Sequence, residues 1–166
     1  MDPTRLLKRQ HREVQSLFKQ MERTDEGRRR RQLMDQIVQS LQLHMRIEEE
    51  IFYPAVREIG TRKAEEMALE AYEEHAVAKL VMEQIPEVDP DDERFEAKMT
   101  VFRELLEHHI EEEEEEMFKI AAKIGDDELE ELGNRMMEEV SAAEGETAPT
   151  RRGQDNGRQR RAMVSR

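Results

Sequence analysis

The sequence predicts an all-α protein: an antiparallel up-down-up-down four-helix bundle, followed by a short fifth helix and a disordered C-terminal tail. Three observations carry this. The composition favours helix, with abundant Leu, Ala and Glu, 11 Met and only 4% aromatics. Apolar residues recur at helical spacing through four long stretches, each bounded by helix start and stop residues. Clear strand runs are absent.

Helix one starts at Asp2-Pro3, where Asp suits the N-cap and Pro the first helical position, and runs to about Met21–Arg23. Asp25-Glu26-Gly27 stops it. Helix two begins among Arg28–Arg31 and reaches Glu58-Ile59, with Gly60 as its stop and Pro54 expected to kink or loosen its last turn. Thr61 caps helix three, which ends before Pro86. Asp89-Pro90 reads as the start of helix four, which extends to Lys123-Ile124 and stops at Gly125. Asp126 opens the fifth helix, expected to end near Ala143. One domain is placed over 1–144 and a basic tail over 145–166. The segment Thr147–Arg166 has six arginines and too few apolar side chains to order itself. Short links between long helices give the antiparallel arrangement. The only internal echo is a weak one, between His44–Pro54 and His109–Lys119.

Composition excludes several functions. A net charge of −13 repels a phosphate backbone, so nucleic acid is not expected at the folded domain. The absence of cysteine removes disulfides, thiolate nucleophiles, iron–sulfur clusters and thiolate-bound zinc, and fits a cytoplasmic location. No stretch approaches 18 consecutive apolar residues, so no membrane span is expected, and Met1–Arg5 does not open a secretory signal. The arginines at 28–31, at a helix start, read as a solvated loop edge rather than a local docking patch.

Four of the five histidines fall one per helix, at His11, His44, His75 and His109. His44 and His109 are each followed four residues later by a glutamate, Glu48 and Glu113, on the same helical face. Heptad stepping turns all six inward. His109 shares a row with Phe102 and Phe95, and Glu113 with Leu106, Met99 and Ile120. His44 shares a row with Ile37 and Ile51, and Glu48 with Leu41 and Ala55. His11 lines up with Phe18, and His75 with Ala68 and Met82.

A lone inward histidine is usually a hydrogen-bonded core residue, and the run Glu111–Glu116 places some glutamate at the right offset by itself. The conjunction of six is different. Two buried carboxylates need compensating positive charge, which metal cations supply. Imidazole with carboxylate and no sulfur suits iron, manganese or zinc, and two carboxylates in a bundle core favour a pair of metals. Iron is the preferred choice.

Several stretches of the chain resemble the hemerythrin-like (HHE cation-binding) domains over roughly residues 3–124. They are Leu6–Val14 around His11, His44-Met45-Arg46-Ile47-Glu48 through Pro54, Glu74-His75, and His109-Ile110-Glu111-Glu112-Glu113 through Lys119. In both His-x-x-x-Glu segments an aromatic residue follows at the same distance. The resemblance implies a bundle around two non-haem iron ions, with Glu48 and Glu113 bridging and His11, His44, His75 and His109 as terminal ligands. It also implies an open position for dioxygen, another small diatomic or peroxide. Oxygen carriers carry His-x-x-x-His on helix three, whereas His75 is followed by Lys79. His108, Tyr72, Glu74 or water are the candidates for the missing donor. Three functions follow: a dioxygen-binding or redox-sensing protein, a di-iron enzyme acting on peroxide, nitric oxide or ferrous iron, and a helical interaction module with a structural metal.

Overall fold

A computed structural model describes residues 1–147; of the disordered basic tail expected over 145–166, residues 145–147 are helical and 148–166 lie outside the described residues. Five long helices account for the described chain, with no strand among these residues. Helix α1 is Pro3–Glu22, and the Asp2 carboxylate accepts the Thr4 N–H at 2.8 Å. Helix α2 (27–58) runs through Gly27–Ile47, a π-helical turn at Glu48–Phe52, and Tyr53–Glu58. Helix α3 is Arg62–Gln84, capped by the Thr61 hydroxyl, which accepts the Ala64 N–H. Helix α4 (95–121) runs through Phe95–Glu112, a second π turn at Glu113–Met117, and Phe118–Ala121. Helix α5 is Asp126–Thr147. Gly60 and Gly125 end α2 and the 3-10 turn after α4 at positive φ, 76° and 102°, where a side chain would be strained.

The expected boundaries need three corrections. Helix α4 starts at Phe95 rather than at Asp89-Pro90. The Asp89 and Asp92 carboxylates instead accept the N–H groups of Asp91 and Arg94, which fold that stretch into consecutive turns. Helix α5 passes Ala143 and, at 22 residues, is comparable in length to α1 and α3, at 20 and 23. Gly145 lies inside it. The loosening expected of Pro54 occurs as the π turn just before it, closed by the Tyr53 N–H on the Glu48 carbonyl. An equivalent turn, closed by Phe118 N–H on Glu113, forms where no proline is near, so proline is not its cause.

Arg30 and Arg31 are not a solvated edge. Arg30 lies over the Phe95 ring at 4.8 Å and donates to the carbonyls of Thr24 and Pro90. Arg31 donates to the carbonyls of Ile85 and Val88. These two side chains tie the α3–α4 connection to the start of α2.

The apolar interior divides in two. One half contains Val14, Phe18, Leu33, Met34, Ile37, Leu41, Met99 and Phe102. The other contains Leu6, Leu7, Ile47, Phe52, Val56, Met67, Met117 and Phe118, and α5 enters it through Leu132, Met136 and Val140. Between them lies the layer of His11, His44, Glu48, His75, His109 and Glu113, which with Tyr53 are the buried side chains that carry polar atoms among the described residues. Met136 has no exposed surface. Met136→Ala is expected to lower unfolding stability by about 2–4 kcal/mol, the usual cost of truncating a fully buried side chain. Chemical denaturation of the two proteins measures this, and an unchanged midpoint would show that α5 is not part of the cooperative unit.

Candidate metal centre

The six side chains expected to face inward converge from four helices. They form two pairs of imidazoles. The Nε2 atoms of His11 and His44 are 3.1 Å apart, and those of His75 and His109 are 3.0 Å apart. Each carboxylate spans both pairs. Glu48 Oε1 lies 3.0 Å from His44 Nε2, and its Oε2 lies 3.1 Å from His75 Nε2. Glu113 Oε2 lies 3.3 Å from His11 Nε2, and its Oε1 lies 3.6 Å from His109 Nε2. One oxygen of each glutamate therefore serves each half.

The opposite nitrogen of every ring is tied outward. His11 Nδ1 meets Glu114 Oε1 at 2.8 Å, His44 Nδ1 meets Gln10 Oε1 at 2.8 Å, and His75 Nδ1 meets Glu49 Oε1 at 3.0 Å. His109 Nδ1 meets Glu74 Oε2. An acceptor at Nδ1 holds the proton there and turns the Nε2 lone pair inward, the arrangement a metal-binding imidazole needs. Two of these carboxylates are themselves clamped. Arg12 grips both oxygens of Glu114 at 3.1 Å, and Lys79 grips both oxygens of Glu49 at 2.7 Å.

None of the side chains considered for the missing donor enters the centre. His108 is exposed and pairs with Glu112, the Tyr72 hydroxyl donates to the Glu49 carbonyl, and Glu74 serves His109 from outside. Tyr53 enters instead. Its hydroxyl donates to Glu113 Oε1 at 2.5 Å and lies 3.2 Å from Glu48 Oε2, 3.1 Å from His75 Nε2 and 3.4 Å from His109 Nε2. The π turn explains this position. Five residues along an α-helix, a side chain points well away from the first, but the i+5 hydrogen bond from Tyr53 to Glu48 brings the ring back beneath the carboxylate.

Electrostatics follow from burial. Burial opposes the charged form of His11, yet Glu113 and Glu48 overcome it and raise its pKa to about 10. Burial likewise opposes charge on His109, and Glu113 and Glu74 raise it to about 9. Burial pushes Glu48 up, but His44, His11 and His75 hold it well below the usual carboxylate range. Burial and the two glutamates keep the Tyr53 phenol protonated far above its ordinary value. The metal-free centre is thus neutralised by protons on imidazole. When the rings are neutral with their proton at Nδ1, as ligation requires, Glu48 Oε1 and Glu113 Oε2 are buried with no hydrogen-bond partner. Lone pairs in that state are costly, and a cation between them and the His11–His44 pair satisfies them. Donor atoms of His11, His44, Glu48 and Glu113 cluster within 4.8 Å of one another, as do those of Glu48, His75 and His109. The residues fit metal binding.

Residues 2–121 match the Hemerythrin HHE cation binding domain family, and the chain belongs to it. It is 30% identical over 146 residues to an uncharacterized protein of Mycobacterium tuberculosis, covering 84% of this chain and 86% of that one. It is 25% identical over 114 residues to a DNA nickase of Nostoc, covering 68% of this chain but only 31% of the nickase. In three dimensions it is similar to a crystal structure of a hemerythrin HHE cation binding domain-containing protein from Mycobacterium kansasii. The TM-score is 0.75 at 24% identity, covering 88% and 89% of the two chains, which shows the shared fold.

Two predictions follow from this geometry. His44→Ala or Glu48→Ala is expected to lose at least one metal ion per chain, whereas His108→Ala keeps its full content; elemental analysis after reconstitution decides. Metal loading is also expected to release protons. At pH 7 His11 and His109 are protonated in the metal-free protein and must become neutral to ligate. Release measured with an indicator in weak buffer should exceed that above pH 10 by about two protons per chain. The same protonation stabilises the metal-free fold. That contribution is complete below the ordinary imidazole value of 6.5 and is lost as pH rises to about 10.

Proposed function

We propose that this protein holds two non-haem iron ions and binds dioxygen, a related diatomic or peroxide, and that it transforms or senses this ligand rather than carrying oxygen reversibly. The proposed iron ligands are His11, His44, His75 and His109, with Glu48 and Glu113 bridging. Tyr53 completes the half that lacks the carriers' second helix-three histidine. The observation that carries the reading is the Tyr53 hydroxyl within 3.4 Å of both nitrogens and both carboxylate oxygens of that half. An oxygen donor that becomes anionic on losing its proton favours the higher metal charge, which opposes easy return to the ferrous state.

Iron in this site supplies one-electron redox change and an open position for a small ligand. The chain's own residues do the rest. Gln10, Glu49, Glu74 and Glu114 fix the imidazoles, and in the metal-free centre Tyr53 holds at Oη a proton that it donates to Glu113 and would lose on ligation. A cavity of about 10 Å³ sits against the four imidazoles, closed by Val14, Leu41, Met45, Leu106 and Ile110. That volume is at the lower limit for a single water molecule, which supports a very small ligand over an organic substrate. The likeness to the Nostoc nickase spans 31% of that protein, and a chain of net charge −13 repels a phosphate backbone, so nicking is not carried over.

The test is anaerobic loading with ferrous iron, counting iron per chain, then admission of air while the visible spectrum is followed. Two irons per chain and a ferric spectrum that persists on deoxygenation are expected, with a visible phenolate absorption that Tyr53→Phe abolishes. A colour that disappears on deoxygenation would establish reversible carriage instead. A single iron per chain would overturn the dinuclear reading.

A further inference from the structure

The centre is built on an internal two-fold resemblance that its residues nearly obey. His11 of α1 corresponds to His75 of α3, and His44 and Glu48 of α2 to His109 and Glu113 of α4. The outer carboxylates Glu114 and Glu49 correspond in the same way, each gripped at both oxygens by a basic residue, Arg12 or Lys79. Both π turns correspond. Two positions break the rule. The acceptor on His44 Nδ1 is the neutral amide of Gln10, whereas its counterpart on His109 is the carboxylate of Glu74. The ring beside His11 is Phe118, stacked at 6.2 Å, whereas its counterpart beside His75 is Tyr53 at 5.3 Å.

Both departures act on the same half. The His75–His109 half gains an additional backing carboxylate and an ionisable phenol, and the His11–His44 half has neither. The unpartnered carboxylate oxygens record the same asymmetry: Glu48 Oε1 and Glu113 Oε2 both face the His11–His44 half. Their sister oxygens face Tyr53. The oxygen pattern follows from the Tyr53 hydroxyl, so the asymmetry consists of two differences, the backing acceptor and the ring, and both fall on the same half.

We infer that the two metal positions differ in the charge they select: the His75–His109 half takes a trivalent ion and the His11–His44 half a divalent one, with Gln10 and Phe118 set against Glu74 and Tyr53 as the cause. The inference rests on the proposed dinuclear centre. Anionic donors and carboxylate-backed imidazoles gain more from each added metal charge than neutral ones, and in a dry interior that difference is weakly screened. Gln10 and Glu74 are positioning residues, since each acts through an imidazole.

The test uses redox-inert probes on the full chain freed of metal. One equivalent each of zinc(II) and gallium(III) is added, the latter as its citrate, and anomalous scattering from crystals at the two absorption edges locates each ion. Gallium is expected in the His75–His109 half and zinc in the other, with a preference of about tenfold or more, the scale of outer-shell effects on metal affinity. Gln10→Glu, a half-buried and conservative change, should reduce the preference, and Gln10→Glu with Phe118→Tyr should abolish it. Even or reversed occupancy in the unaltered protein would overturn the inference while leaving the dinuclear reading standing. A wild-type distribution in the double variant would overturn the assigned cause. Binding of neither ion would overturn both readings.

Discussion

Two carboxylates buried at the centre of a helix bundle are the constraint on which the rest of this structure depends. Glu48 and Glu113 have essentially no exposed surface. Each unpaired charge of this kind costs several kcal/mol when withdrawn from water. Every unusual feature of the fold relates to that cost. Four imidazoles surround the pair, two of them raised far enough to remain cationic at neutral pH, and a phenol donates to one carboxylate. Four further acceptors orient the imidazoles, and two basic residues at the surface clamp two of those acceptors. The result is a polar layer that separates the apolar interior into two cores.

The sequence made the inner layer legible because α-helical stepping holds there. His11, His44, Glu48, His75, His109 and Glu113 sit on rows of Phe, Ile, Leu and Met, and an ionisable group on such a row stands out. The same stepping fails beyond Glu48. It places Tyr53 off the inward face, and only the wider π turn restores it. One signal was present: an aromatic follows both inward glutamates at the same distance, as Tyr53 and Phe118. The outer layer was hidden for a different reason. Glu49, Glu74 and Glu114 lie in glutamate-rich stretches that read as solvated faces, and no periodicity distinguishes a carboxylate that meets an imidazole from one that meets water. Arg30 and Arg31 escaped similarly, since their partners are backbone carbonyls and a ring contributed by the α3–α4 connection.

The two π turns are the local device that gives the centre its composition. A regular helix through Glu48 would present residues three and four positions on toward the core. The widened turn buries Ile51, Phe52 and Tyr53 in succession, and its counterpart buries Met117 and Phe118. Each turn therefore delivers one ring beneath the centre, at a position where a single hydroxyl decides whether the nearby half gains an oxygen donor. A change at one residue alters the chemistry there without moving a helix, and the backbone is compatible with either ring.

Helix α5 lies beyond the segment that matches the family, yet it completes the centre's surroundings. The polar layer leaves each apolar half smaller than an undivided bundle core. The half that contains Tyr53, Phe52 and Phe118 would be open on the side of α1 and α2 without a further element. Leu132, Met136 and Val140 close it, packing in the same apolar cluster as Leu6, Leu7 and all three aromatic residues. The fifth helix therefore belongs to the bundle's interior and is no appendage: its buried side chains complete the apolar half of the core that adjoins the polar layer.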